Sequence, residues 1–328
     1  MPPEEVLTWL LDSDPALRWQ VERDLLGEPA SVWETTRERV ATEGFGAALL
    51  ARQDADGRWA GGAYFPGDFD FNGPEAAPGA GQPWTATTWS LTTLREWGVP
   101  PEVLEDTAER IAASAVWEFE GLPYWGGEVD ACINAMTLAN GAWLGADVAA
   151  IANWFPARQM GDGGWNCEWV NGATVSSFHS TLNSLKGLLA YEQLSGSSDV
   201  LRIARRRGEE YLLTRRLHRR LTTDEPLTWA ADFAYPFRWR YSVLNAVDYF
   251  RSSSLHDSRI PDPRLTEAIE IVRDARRPDG TWLQGRPLPG RVWVETDAGE
   301  GLPSKWLTFI ATRALAWWDA ARETKVTR

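Results

Sequence analysis

Apolar residues recur every three to four positions through most of the chain, and clusters of Gly, Pro and Asp interrupt this pattern. Leu17, Val21 and Leu25 show the spacing, because residues four apart lie on one face of a helix. The pattern predicts an N-terminal series of helices that begins with Glu4–Leu11 and continues through 16–26 and 32–52.

The remaining predicted helices fall into two classes. Helices that follow aromatic turns or loops, with bulky or charged residues near their starts, cover 84–97, 129–143, 177–194, 237–251 and 304–318. Helices of more charged, one-sided character cover 101–117, 146–158, 199–217 and 263–276. Together with the N-terminal helices, the two classes make six helix pairs. Each pair can bury its apolar face only by packing against neighbouring pairs. We therefore expect one all-α domain over residues 1–328, an (α/α)6 toroid with six inner helices around a central cavity.

A turn that ends in tryptophan recurs along the chain, which contains 20 tryptophans. Its copies are segments 53–59, 158–165 and 276–282, with a looser copy at 122–127. Repeats at roughly regular spacing indicate stacked structural units. The segment 63–83 has no helical period, and we predict that it is a mobile loop insertion at the mouth of the cavity.

Charge and composition exclude several classes of partner. The formal net charge is -13, which repels phosphate backbones, so we expect no nucleic-acid partner. The chain has no apolar run long enough to span a membrane, and its N-terminus lacks the features of a secretion signal. We therefore predict a cytoplasmic protein without a membrane span. The oligomeric state is left open by the sequence.

Four residues of metal-binding type are candidates for a zinc site. Asp130 and Cys132 lie at a predicted helix entrance, Cys167 follows the turn at 158–165, and His179 lies at the start of the next apolar helix. One carboxylate, two thiols and one imidazole suit zinc by softness and by number. Both cysteines of the chain belong to this set. The alternative interpretation is two core cysteines, a helix-capping aspartate and a hydrogen-bonded histidine.

Other candidates lie near the predicted starts of the apolar helices, which a toroid directs towards one mouth. We expect an apolar small molecule to be bound there, and the candidate substrate-binding residues are Arg18, Trp84, Arg238, Trp239, Tyr241 and Trp306. The structural alternative is that the charged residues among them are solvated or paired and the aromatic residues only pack.

Two sequence features resemble one superfamily. The tryptophan turns resemble the QW repeats of squalene cyclases. Asp130-Ala131-Cys132, together with Phe178-His179-Ser180, is similar to the zinc site of protein prenyltransferase β subunits. The resemblance implies an α/α toroid in which Asp130, Cys132 and His179 bind zinc, and a terpenoid cyclase or prenyltransferase-like activity on an isoprenoid-like molecule in the central cavity.

The same resemblance leaves two alternatives open. Those relatives leave the fourth zinc position for a substrate thiol, whereas Cys167 offers a thiolate of the chain itself, which would make the zinc structural and the protein a ligand-binding or scaffolding toroid. The sequence 128–131 also resembles the Asp-x-Asp-Asp motif of protonation-initiated cyclases, with the first acid changed to Glu128 and the last absent. In that case Asp130 is a proton donor and catalytic residue.

Overall fold

The chain is predominantly helical in a computed structural model that describes residues 2–196 and 198–326. The helices are α1 Glu4–Leu11, α2 Pro15–Val21, α3 Ala30–Glu38, α4 Gly44–Leu50, α5 Thr87–Trp97, α6 Thr107–Ser114, α7 Ala131–Leu144, α8 Ala149–Arg158, α9 Phe178–Ser195, α10 Asp199–Thr214, α11 Val243–His256, α12 Thr266–Asp274 and α13 Lys305–Val326. Two short strands, β1 Trp282–Leu283 and β2 Pro303–Ser304, pair antiparallel. The all-α fold class is confirmed. Within the described residues, no helix has the length and apolar character needed to cross a membrane.

Helices α5, α7, α9, α11 and α13 pack each against the next in that order. Helix α13 also contacts the π-helical segment Glu22–Leu26, which continues α2, and α2 contacts α4, which contacts α5. A second series packs alongside the first, because α8 contacts α7, α9 and α10, and α12 contacts α11 and α13. Neighbour contacts therefore lead from α5 through α13 back to the N-terminal helices.

Burial distinguishes the two classes of helix. In α7, 12 of the 14 residues are buried, so this helix is enclosed on every side. In α12 only Ala268, Ile269 and Val272 are buried among nine residues, and they lie on one face. The hydrophobic period predicted this difference, because a helix with one apolar stripe packs on one side and a mostly apolar helix packs all round.

Three of the predicted helix ranges are wrong. The predicted helix 101–117 is a 3₁₀ turn, Pro101–Leu104, followed by the shorter helix α6, because Asp106 between them has φ +59. The predicted helix 32–52 is broken between α3 and α4, where Gly44 has φ +57 and the Asp14 carboxylate accepts a hydrogen bond from the Phe45 N–H at 2.8 Å. A side chain at Gly44 would collide with that carboxylate, which explains the glycine. The helix predicted at 237–251 begins at Val243 instead, because Arg238 has φ +53 and the Ser242 hydroxyl accepts from the Asn245 N–H as the helix cap.

The three close copies of the tryptophan turn share one set of hydrogen bonds. In each, the indole N–H donates to the carbonyl ten residues earlier, from Trp59 to Leu49 (2.9 Å), Trp165 to Phe155 (2.9 Å) and Trp282 to Val272 (2.8 Å). The backbone N–H of the same tryptophan donates to a threonine hydroxyl on the following apolar helix, at Thr87, Thr181 and Thr308. Each turn therefore fastens one helix pair to the next. The looser copy differs, since Trp125 donates to Ala108.

The segment 63–83 is irregular except for one 3₁₀ turn, Pro74–Ala76. At its start, one oxygen of the Glu118 carboxylate accepts three backbone N–H groups, from residues 63, 64 and 65. At its end, the Trp84 N–H donates to the Arg291 carbonyl, and the Arg291 guanidinium forms ion pairs with Asp68 and Glu75. The loop therefore lies against the segment 289–295.

Candidate functional site

An aromatic cavity lies between α5, α9 and the segment 235–238. Its volume is about 50 Å³, and its lining includes the aromatic residues Trp84, Trp89, Trp97, Tyr235, Phe237 and Trp293. A second cavity of about 230 Å³ shares Tyr235, Phe237, Glu96 and Lys186 with the first and extends between α9, α11 and α13. The two cavities form adjoining spaces among the helices that pack in sequence from α5 to α13.

Hydrogen bonds fix the tryptophan rings of the first cavity. The Trp84 indole N–H donates to the Pro289 carbonyl at 3.0 Å, and that of Trp89 donates to the Tyr64 carbonyl at 3.2 Å. The two rings are nearly perpendicular, with centroids 4.7 Å apart. Because their polar N–H groups are occupied, these rings offer apolar, electron-rich surfaces to the cavity.

Three charged side chains belong to the lining of the first cavity. The Lys186 ammonium lies 3.9 Å from the Glu96 carboxylate, which also lies 4.0 Å from the guanidinium of Arg95 in the second cavity. Arg95 donates in addition to the Asn140 side chain at 3.1 Å, and burial lowers its pKa. Glu96 is therefore shared by two cations.

Arg238 is the third of these charged residues, and it lies over aromatic rings. Its guanidinium carbon is 5.0 Å from the centroid of the Trp84 ring and 6.0 Å from that of Trp89. Burial lowers the pKa of Arg238 to about 10, so the side chain remains charged at neutral pH. Among the residues that the structure describes, none accepts a hydrogen bond from this guanidinium or forms an ion pair with it, and its partly exposed nitrogens are not among the buried atoms without a partner.

The two cysteines form a pair close to these cavities. Cys132 lies in the first turn of α7 and Cys167 begins a 3₁₀ helix, Cys167–Asn171, and their sulfur atoms are 3.4 Å apart. The Cys132 N–H donates to the Cys167 sulfur at 3.4 Å, and the Ser180 hydroxyl donates to it at 3.3 Å. The hydrogen bond to Cys132 lowers the pKa of Cys167. The same hydrogen bond, together with burial, raises the pKa of Cys132. Cys167 is thus the thiol that ionises first.

Asp130 lies at the entrance of α7, two residues before Cys132. Gly127, with φ +88, precedes this entrance, and the Asn134 side chain bonds to the N–H and the carbonyl of Glu128. The Glu128 carboxylate accepts from the Asp130 N–H at 2.5 Å. Burial, reinforced by the charge of Glu168, raises the pKa of Asp130, and burial also raises the pKa of Glu128.

His179, the fourth candidate ligand, packs against aromatic rings. Its imidazole stacks on Trp229 with centroids 5.1 Å apart and lies 5.8 Å from the ring of Trp239. Burial and the positive charge of Arg240 lower its pKa, so the imidazole is neutral at pH 7. A neutral imidazole is the form that binds metals.

The four candidate ligands fit a zinc ion in part. Two thiolates on one tetrahedral zinc lie about 3.8 Å apart, close to the spacing of the two sulfur atoms here. Adding Asp130 or His179 to the two cysteines does not give three ligand atoms that all lie within 4.8 Å of one another. Over the described ranges, the group that meets this distance is Glu192, His256 and Asp257. That group surrounds the Arg205 guanidinium, which already neutralises it.

The thiol pair is linked to the aromatic cavity through Asn183. The Asn183 amide donates to the Cys132 sulfur at 3.7 Å and to the Trp239 carbonyl at 2.9 Å. Trp239 in turn packs against the buried cluster that contains Trp84 and Trp89. The metal candidates and the ligand candidates therefore belong to adjoining parts of the molecule.

The remaining predicted substrate-binding residues lie in different surroundings. Arg18 is partly exposed and forms an ion pair with the buried carboxylate of Glu22. The ring of Tyr241 is buried in the core, and its hydroxyl donates to the Leu217 carbonyl at 2.6 Å. Trp306 lines the second cavity, where its ring stacks on that of Tyr235 at 4.6 Å.

Sequence reasoning missed Trp89, Glu96 and Lys186 as cavity residues. Trp89 and Glu96 lie seven positions apart, which places them on one face of α5. Lys186 stands in an otherwise uncharged stretch from 178 to 191 of α9. A charged residue within an otherwise apolar helix indicates a polar cavity beside that helix. Lys186 could therefore have been identified from the sequence as a cavity residue.

Comparison with known proteins gives no family. No protein-family model and no curated protein matches this chain. One solved structure, described as a protein from Actinoplanes, is 15% identical, covers 87% of this chain and 99% of its own, and has a TM-score of 0.37. The cavity and the thiol pair are therefore interpreted from their own chemistry.

Proposed function

We propose that this protein is a terpenoid cyclase or prenyltransferase-like enzyme that acts on an apolar, isoprenoid-like molecule in the central cavity of an (α/α)6 toroid. The observation that carries the proposal is the aromatic lining of the cavity beside α5. The neighbour contacts from α5 to α13, and from α13 to the segment that continues α2, support the closed ring.

The aromatic lining suits both binding and chemistry of such a molecule. Fixed tryptophan faces stabilise apolar carbon chains by burial, and their electron-rich surfaces stabilise positive charge that develops on carbon. The position of the Arg238 guanidinium over the Trp84 ring supports this, because it is a cation in contact with the same surface. Apolar pockets with a few charged groups are typical of small-molecule sites.

The thiol pair supports the zinc part of the proposal. Cys132 and Cys167 would hold the ion, with Asp130 and His179 as the further ligands that the resemblance implies. When bound, zinc would supply an activated thiolate or water. The hydrogen bond with Cys132 and that from the Ser180 hydroxyl lower the pKa of Cys167, which favours binding of this thiol to a metal.

Two alternative functions have specific support. The first is a non-catalytic ligand-binding or scaffolding protein with a structural zinc, favoured because the thiols join the start of α7 to the 3₁₀ helix before α9. The second is a protonation-initiated cyclase. It is favoured because the pKa of Asp130 and that of Glu128 are both raised by burial, which is the condition for a carboxylic acid that donates a proton.

Incubation of the purified protein with farnesyl diphosphate, with squalene and with geranic acid, followed by mass spectrometry of the products, tests the proposal. We expect product from one of them, and a decrease of about tenfold or more in Trp89→Leu and Asp130→Asn. Trp33→Leu is the matched control, because Trp33 is a partly buried tryptophan of α3 that lines neither cavity. Binding without conversion would favour the non-catalytic alternative, and neither binding nor conversion of any apolar ligand would show the proposal to be wrong.

A further inference from the structure

Within the described part of the chain, the guanidinium of Arg238 has no hydrogen-bond or ion-pair partner from the protein, and its side chain is partly exposed at the wall of the aromatic cavity. It faces the aromatic cavity and lies over two tryptophan rings. Glu96 and the exposed Glu295 act on it only through space. Cation–π contact with a ring face contributes about 0.5–2 kcal/mol. The nitrogens of Arg238 are not among the buried atoms that lack a partner, so their N–H donors are open to solvent or to a ligand.

The charge balance of the cavity defines the missing partner. The charged side chains of the lining are Glu96, Lys186 and Arg238, so one formal positive charge is uncompensated. Glu96 is already 3.9 Å from Lys186, which leaves Arg238 as the free cation. One negative charge balances the charged side chains of this lining, whereas a group with two or three negative charges would be repelled more strongly by Glu96.

We propose that Arg238 binds the carboxylate of an apolar acid whose hydrocarbon part lies against the cavity's aromatic rings. A planar carboxylate matches the fork of a guanidinium and accepts two parallel hydrogen bonds. Trp84 and Trp89 provide the apolar surface on one side of this subsite, and Phe237 and Tyr235 lead from it to the larger cavity. This inference rests on the proposed function and specifies its ligand as a monoanionic, amphipathic molecule.

Three probes with the same hydrocarbon chain separate the head group from the apolar part: geranic acid, geraniol and geranyl diphosphate. Their dissociation constants are measured by isothermal titration calorimetry on the full chain. We expect geranic acid to bind about tenfold more tightly than geraniol, and more tightly than geranyl diphosphate. This comparison needs only the wild-type protein and is decisive even if a variant fails to fold.

Substitution then assigns the effect to one residue. In Arg238→Met, the preference for geranic acid over geraniol is lost, while geraniol affinity stays within about threefold of wild type. The matched control is Arg240→Met, because Arg240 is nearby but donates to the Arg286 carbonyl and does not line the cavity. This control keeps the preference. Arg238→Lys keeps the positive charge but lacks the planar guanidinium. We expect this variant to retain part of the preference for geranic acid over geraniol.

The outcomes distinguish this inference from the proposed function. If geraniol binds as tightly as geranic acid, if geranyl diphosphate binds most tightly, or if Arg238→Met keeps the preference, the carboxylate subsite is wrong and the apolar site stands. If none of the three probes binds, the cavity is not an isoprenoid site, and the proposed function and the inference fail together.

Discussion

The sulfur atoms of Cys132 and Cys167 lie 3.4 Å apart although 35 positions separate the two residues in the sequence. Neither is part of a disulfide. A third residue, Ser180, makes two hydrogen bonds with Cys167. The Ser180 hydroxyl donates to the Cys167 sulfur, and its oxygen accepts from the Cys167 N–H. Two thiols at this distance suit a soft metal, and the lowered pKa of Cys167 favours the ionised form that binds it.

Zinc content is the first prediction. Purified protein should contain about one zinc ion per chain by elemental analysis, and Cys132→Ser and His179→Asn should remove most of it. His256→Asn is the matched control, since His256 belongs to the other group of candidate ligands. Zinc loss in this control but not in His179→Asn would move the metal site to Glu192, His256 and Asp257.

Cys167 decides between a catalytic and a structural zinc. If Cys167→Ser retains zinc and folding but changes turnover, the fourth position is open and the site is catalytic. If it loses zinc and also loses several kcal/mol of unfolding free energy, the site is structural. Protein that is folded and metal-free after careful preparation would contradict both and favour Asp130 as a proton donor.

The buried ion network around Arg205 gives a second prediction. Arg205 is fully buried and forms ion pairs with Glu192, Glu209 and Asp257. Arg205→Met should lower the free energy of unfolding by about 3–5 kcal/mol, because buried carboxylates lose their main counter-charge. In the control Arg202→Met, an exposed ion pair on the same helix is removed, and the change should stay below about 1 kcal/mol in urea titrations. Equal effects of the two would contradict the network's role.

The tryptophan turns give a third prediction. Trp165→Phe removes the indole N–H and leaves the buried Phe155 carbonyl without this donor. The free energy of unfolding should fall by about 1–3 kcal/mol. Trp229→Phe is the control, because Trp229 is 42% exposed and packs at the surface, and its effect should be small. A comparable loss in both would show that ring size, and not the hydrogen bond, determines the effect.

Acid stability gives a fourth prediction, through Asp24. Burial alone would raise its pKa, but the hydrogen bond from Arg23 and the charges of Arg313 and Arg251 outweigh burial and lower it. Because the unfolded chain then binds the proton first, the stability from Asp24 is present above its usual pKa and is lost as pH falls below about 4.

Urea titrations between neutral and acid pH measure this effect. Asp24→Asn should lower the free energy of unfolding at pH 7 by about 1–3 kcal/mol, and the difference from wild type should narrow as the pH falls. Asp199→Asn, which removes a largely exposed carboxylate, should leave the pH profile unchanged. A difference for Asp24→Asn that grows in acid would mean that the pKa of Asp24 is raised.

Local patterns in the sequence determined the helical class, most helix positions and the tryptophan turns. Hydrophobic period and turn chemistry act between residues a few positions apart, so they can be read without the fold. The same patterns misplaced the start of α11 and joined α3 to α4, because a positive φ at Arg238 and the capping of Phe45 by Asp14 depend on contacts from outside those segments.

Only the tertiary structure decided the character of the cavity. The sequence suggested Arg18 and Arg238 alike as ligand-binding residues, but Arg18 is paired with the buried carboxylate of Glu22, and Arg238 lies over Trp84 without an ion pair. Whether a charge is neutralised depends on which distant side chains come within a few ångströms. Such distances are set by helix packing across the whole chain, and no period along the sequence records them.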